Sequence, residues 1–149
     1  MISAEKTTCP ARTAPRFHPT RRTMTAGCVL SAEAASVPVL RRFARRVIQE
    51  WQVPEGLDDA VALIVTELAA NAVRHSGSAD IVLILAAGGG RLSIRVQDSG
   101  RWRPPHPRPT DEMQCGGRGL DLVDAFTTSC RILSTESGTQ VTAEIAILG

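Results

Sequence analysis

Residues 79–100 run ADIVLILAA, then GGGR, then LSIRVQDSG. Two β-branched stretches hinged on glycines are the pattern of an antiparallel hairpin. Arg95 and Gln97 alternate with Ile94 and Val96, so the second strand has one polar and one apolar face. The apolar face needs a cover.

The cover is found upstream. SVPVLRRFARRVIQEW, residues 36–51, sets Val39, Leu40, Phe43, Val47, Ile48 and Trp51 at helical spacing, with Arg41, Arg42, Arg45 and Arg46 opposite them. That basic face is either solvated or a docking surface for an acidic partner. DDAVALIVTELAANAVRHSG, residues 58–77, starts on two acids and stops at a glycine, which marks a second helix. Before both, AGCVLSA at 26–32 has the look of an edge strand.

Downstream, Arg101 to Gly116 carries Pro104, Pro105, Pro107 and Pro109 and is expected to hold no regular element. GRGLDLVDAF then restarts helical spacing through Leu120, Leu122, Val123 and Phe126, and SCRILST, ESGTQ and VTAEIAIL form a second hairpin. The order β, α, α, β, β, long loop, α, β, β predicts an α+β two-layer sandwich. Helices should cover one face of a mixed, mainly antiparallel sheet, with the other face partly open.

A length of 149 residues suits one such domain. Residues 25–149 are assigned to it. Residues 1–24, with Lys6, Arg12, Arg16, Arg21 and Arg22 against Glu5 and three prolines, have no periodicity and are expected to form a flexible basic tail. A net charge of +2 and an aromatic content of 3% give neither the basic footprint nor the stacking platform of a nucleic-acid binder. No apolar run reaches the roughly 18 residues of a membrane-spanning helix, and no signal-peptide core is present. Cys9, Cys28, Cys115 and Cys130 lack the paired spacing of a zinc site. Free thiols in a reducing cytoplasm are the expectation.

Four short stretches could carry chemistry. On the second helix, with Ile64 at zero, Glu67 and Asn71 fall at about −60° and −20°, flanking the apolar stripe. A partly desolvated carboxylate there suits a general base, although a surface acid and a satisfied amide have the same spacing. Asp98 to Gly100, DSG, displays an acceptor beside backbone that a flat ligand can approach, or is an ordinary turn. CGGRGL at 115–120 offers free N–H groups at a helix start, which favours phosphate, or is a plain connecting loop. GTQV at 138–141 places Thr139 on the turn into the last strand and alone means nothing. Lys6 is the only lysine, so no G-x-x-x-x-G-K-[ST] loop exists, and Leu122 breaks any G-x-G-x-x-G.

Taken in order, E-x-x-x-N on a helix, D-x-G after a strand, G-x-G-L after a long loop and G-T-x-V before the last strand resemble the ATP-binding domain shared by gyrase, heat-shock chaperones, histidine kinases and mismatch-repair proteins. Within that superfamily the short chain and ELAANAVRHS look most like RsbW-type anti-sigma factor serine kinases and their actinobacterial relatives. The arginine-for-lysine bias agrees with a GC-rich genome.

The resemblance implies the Bergerat sandwich with ATP and Mg²⁺ as cofactors. It implies that Asn71 holds Mg²⁺ with the phosphates and that Glu67 is the general base. Asp98 would accept the adenine amino group, with Gly100 permitting close approach and Thr139 supporting the contact. Gly117, Arg118, Gly119 and Leu120 would close over the phosphates. The implied activity is a serine/threonine protein kinase acting on an anti-anti-sigma (STAS-domain) partner, with a sigma factor as second partner and a homodimer as assembly. The alternative is a catalytically inactive nucleotide-binding module that sequesters a regulator. A sensor histidine kinase fits poorly, because His18, His75 and His106 lie in the tail, the nucleotide helix and the proline loop.

Overall fold

The hairpin forms as its alternation requires. β2 (Asp80–Gly88) and β3 (Arg91–Asp98) pair antiparallel across Gly89 and Gly90, whose φ values of 58° and 74° supply the two left-handed positions of a two-residue hairpin turn. The computed structural model describes residues 22–75, 77–100, 112–114, 123 and 126–147.

β1 (Met24–Ser31) pairs with β2 and forms one edge of the sheet. β5 (Ser129–Thr135) and β6 (Gly138–Ala146) make the second hairpin, and β6 inserts beside β3. With β4 (Glu112–Gln114), the six strands run in the order β1-β2-β3-β6-β5-β4, and every ladder is antiparallel.

β4 corrects the expectation that 101–116 would hold no regular element. Its three residues follow the last proline of the segment, Pro109, so their N–H groups can enter a ladder, and they join at the sheet edge against β5. A three-residue edge strand has no alternation long enough to be seen in a sequence. A helix was also expected over 117–126. Most of that stretch lies outside the described residues, but Val123 and Phe126 are helical and Val123 is fully buried.

α1 (Ser36–Glu50) and α2 (Asp58–His75) pack on each other and lie over β1, β2 and β3. Leu40, Ala44 and Ile48 of α1 and Val61, Ile64, Val65 and Leu68 of α2 meet Ile81, Leu83, Leu85, Leu92 and Ile94 of the sheet in one aliphatic core. α1 ends where Gln52 takes φ 53°, letting Val53 N–H bond the Ile48 carbonyl at 3.0 Å and Gln52 N–H bond that of Gln49 at 3.1 Å. This double closure satisfies carbonyls that the helix end would otherwise orphan, and both Val53 and Ile48 are buried in the core cluster.

The other face of the sheet carries no helix among the described elements, and its residues are part-exposed: Val82 and Ile84 on β2, Ser93, Arg95 and Gln97 on β3. Cys28 is free, but Cys130 on β5 is disulfide-bonded, which corrects the expectation of four free thiols. Motif spacing excludes a zinc knot but says nothing about which cysteines the fold brings together. No helix among the described residues is long and apolar enough to cross a membrane.

Leu68 is fully buried on α2, within the core cluster. Leu68→Ala is expected to destabilise the fold by about 2–5 kcal/mol through lost burial and the cavity left behind. Urea unfolding checks this: the midpoint should fall while the slope stays constant.

Candidate functional site

Among the described residues three polar side chains are buried: Asn71, Asp98 and Thr139, at 7%, 9% and 2% exposure. A buried polar group must be held by partners or serve a ligand. All three belong to the stretches that the sequence singled out.

Two of them meet at the end of the central strand pair. Asp98 is the last residue of β3 and is in register with Thr139 on β6, both pointing to the helix-covered side along with Ile94, Val96, Val141 and Ala143. The Asp98 carboxylate accepts the Gly100 N–H on Oδ1 at 2.9 Å. The Thr139 hydroxyl donates to the Gly100 carbonyl at 3.2 Å. Gly100 is thus gripped from both strands, and the turn DSG is fixed rather than free.

Gly138 tightens the same junction. At φ 145° it brings its backbone so close to β3 that a Cβ would stand 2.0 Å from the Asp98 carbonyl oxygen and 2.9 Å from Ser99 Cα. Only glycine fits there. In GTQV the sequence marks Thr139 but not this glycine, because its role depends on a strand about 40 residues away, which no local pattern reveals. A cavity of about 190 Å³ opens at this end of the sheet, bordered by Asp98, Gly138 and Thr139 and, from the face away from the helices, by Gln97, Leu133 and Gln140.

A third tie reaches back toward α2. Ser78, in the link between α2 and β2, accepts the Ser99 N–H at 3.0 Å and donates its own proton to the Asp80 carbonyl at 2.7 Å. In its 2.8 Å contact with Ser99 Oγ, Ser99 is therefore the donor. The segment that ends α2 is strapped to the turn that follows Asp98.

α2 itself carries the other two candidates one helical turn apart. Asn71, nearer the centre of the apolar stripe, is buried, whereas Glu67, further round the helix, is half-buried. This agrees with their wheel angles. α2 packs directly on β3, on the side of the sheet that Asp98 faces. Gly117, Arg118, Gly119 and Leu120 lie outside the described residues.

No group of three or more His, Cys, Asp or Glu able to hold a metal occurs among the described residues. The site has polar groups for a flat, hydrogen-bonding ligand at the β3–β6 end and a carboxamide and a carboxylate on α2.

Comparison with known proteins agrees with this layout. The family model of the histidine kinase-like ATPase domain matches residues 30–145. Among solved structures, the RsbU and RsbW domains of Rv1364c from Mycobacterium tuberculosis superpose with a TM-score of 0.66 at 22% identity. The match covers 83% of this chain and 32% of that one, so this chain spans about a third of that structure.

Gly138→Ala is expected to push the Asp98–Ser99 backbone aside and destabilise the protein by about 1–3 kcal/mol. Amide NMR signals of Ser99 and Gly100 should move more than those of Glu144 and Ala146, at the far end of β6. Unmoved Ser99 and Gly100 signals would contradict the close approach.

Proposed function

The chain belongs to the histidine kinase-like ATPase domain family, and on that premise we propose that it is an ATP-binding regulator that phosphorylates a serine or threonine of an anti-anti-sigma (STAS-type) protein and also binds a sigma factor. The observation that carries this reading is the identity of the buried polar residues. Asn71, Asp98 and Thr139 are the described polar side chains held out of water, and each stands in one of the family-like motifs.

Asp98 is suited to adenine because its carboxylate is oriented by the Gly100 N–H and sits beside backbone without a side chain. It accepts the exocyclic amino group of the base. Thr139 keeps the turn in place through the Gly100 carbonyl, and Gly138 keeps the two strand ends close enough for that bond to form. The described residues fit a Mg²⁺ that is shared with phosphates. Mg²⁺ keeps several waters and takes few protein ligands, and the carboxamide oxygen of Asn71 is one such ligand.

Bound Mg²⁺-ATP supplies the transferable γ-phosphoryl group and the charge neutralisation that phosphoryl transfer chiefly needs. Glu67, one turn before Asn71, would take the proton of the attacking hydroxyl on its carboxylate as the new O–P bond forms and the bond from the γ-phosphorus to the bridging oxygen breaks, with ADP as the leaving group. Its half-buried position leaves it reachable by a partner's serine. Gly117, Arg118, Gly119 and Leu120 complete the reading as the loop over the phosphates. With lysine absent from the domain, arginine is the side chain left to supply positive charge there. Such a regulator works in the cytoplasm, where sigma factors are.

Two measurements test the reading. Mg²⁺-ATP at 100 times its dissociation constant should stabilise the wild type by about 2.7 kcal/mol, seen as a raised melting temperature, and Asp98→Asn should lose the shift. Glu67→Ala should keep the shift but lose transfer of labelled phosphate to a STAS-domain protein. Transfer at the wild-type rate by Glu67→Ala would remove the general base. A nucleotide shift without transfer even in the wild type would leave the sequestering module.

A further inference from the structure

The open face of the sheet, away from the helices, has its own polar cluster. Arg95 on β3 and Arg131 on β5 are both in register with Thr142 on β6 between them. Two strand spacings put the arginine Cα atoms about 10 Å apart, a separation that two long side chains can close onto one small ion. In the next row Ser93 and Ser129 flank Glu144. A cavity of about 270 Å³ opens over these rows, lined by Ser93, Arg95, Arg131, Gln140, Thr142 and Glu144.

Within it the Arg95 guanidinium has an unmet need. Its Nε is buried and has no hydrogen-bond partner. A buried donor left unpaired is costly, and such groups in folded proteins call for an explanation. The surrounding groups are mostly donors too. Thr142 and Ser93 bring hydroxyls, and Gln140, whose Oε1 accepts from Gln97 at 2.9 Å, has its amide N–H₂ left to give.

We propose that this cavity binds a phosphate group, as the free ion or as a monoester. Arginine forks match the tetrahedral oxyanion, and the hydroxyls and amide take the remaining lone pairs. Glu144 sets the choice among anions. It accepts from Ser129 Oγ at 3.1 Å and pairs with Arg91 Nη1 at 3.9 Å, both through Oε2. Its other oxygen can accept a P–OH proton. Sulfate, with the same shape but no proton at neutral pH, would face that carboxylate with nothing to donate.

The site stands on the opposite face of the sheet from Asp98 and Asn71 and does not depend on the nucleotide reading. The test is the melting temperature of the full chain at fixed ionic strength with inorganic phosphate, O-phosphoserine or sulfate. Phosphate and sulfate both stabilise proteins in a general way, so sulfate is the matched control. Either phosphate probe should raise the melting temperature beyond sulfate, with the stronger probe identifying free ion or monoester. Arg95→Gln should weaken that response at least tenfold in concentration, whereas Asp98→Asn should leave it intact. If Arg95→Gln does not fold, Arg131→Gln, at an exposed position, reads the same site. Equal responses to phosphate and sulfate, or a wild-type response in the arginine variants, would overturn the proposal. Loss in Asp98→Asn alone would assign the phosphate to the nucleotide site and overturn it equally.

Discussion

The contact between the end of β3 and the start of β6 is the constraint on which the rest of the site depends. Asp98 and Thr139 stand opposite each other, Gly138 lets the two backbones close, and the turn after Asp98 is held by bonds from both strands. A carboxylate there stays buried because its position is over-determined. A side chain at 138 would force apart the backbone that presents it. Ser78 extends the same restraint to the segment leaving α2, so the strand half and the helix half of the site share one scaffold.

Much of this was legible in the sequence because it is periodic. The alternation of Ile94 and Val96 with Arg95 and Gln97 divides β3 into an apolar and a polar face, and the wheel positions of Glu67 and Asn71 set both at the border of the apolar stripe; that Asp98 joins the covered face and that Asn71 lies deeper than Glu67 came from the structure. What escaped was non-local. Gly138 matters through a strand distant in sequence, β4 is too short to show a period, and the disulfide at Cys130 depends on which chain segments the fold makes neighbours. The serine link between Ser78 and Ser99 also joins two turns whose residues, taken singly, are ordinary turn formers.

The two faces of the sheet are built to different ends by the same alternation. Odd and even residues of β3 and β6 divide between an aliphatic layer under the helices and a charged, hydroxyl-bearing layer on the far side. On β2 that far side is apolar instead, with Val82 and Ile84, and Val29 of β1 stands 61% exposed opposite Val82. A single sheet therefore presents an aliphatic strip and an arginine-centred cavity side by side, which is more than a passive backing for a helical layer requires.

The hydrogen bond from Thr139 to Gly100 spans 39 positions of the chain. Closing so large a loop carries an entropic cost before any contact repays it, and topologies dominated by such pairings fold slowly. During synthesis, the helices and the β2–β3 hairpin can assemble from neighbouring residues while Asp98 still lacks its partner strand. The site is completed only when the last strand arrives, so a chain cut short before β6 would keep every residue of the α2 pair and still lack the surface against which a ligand is read.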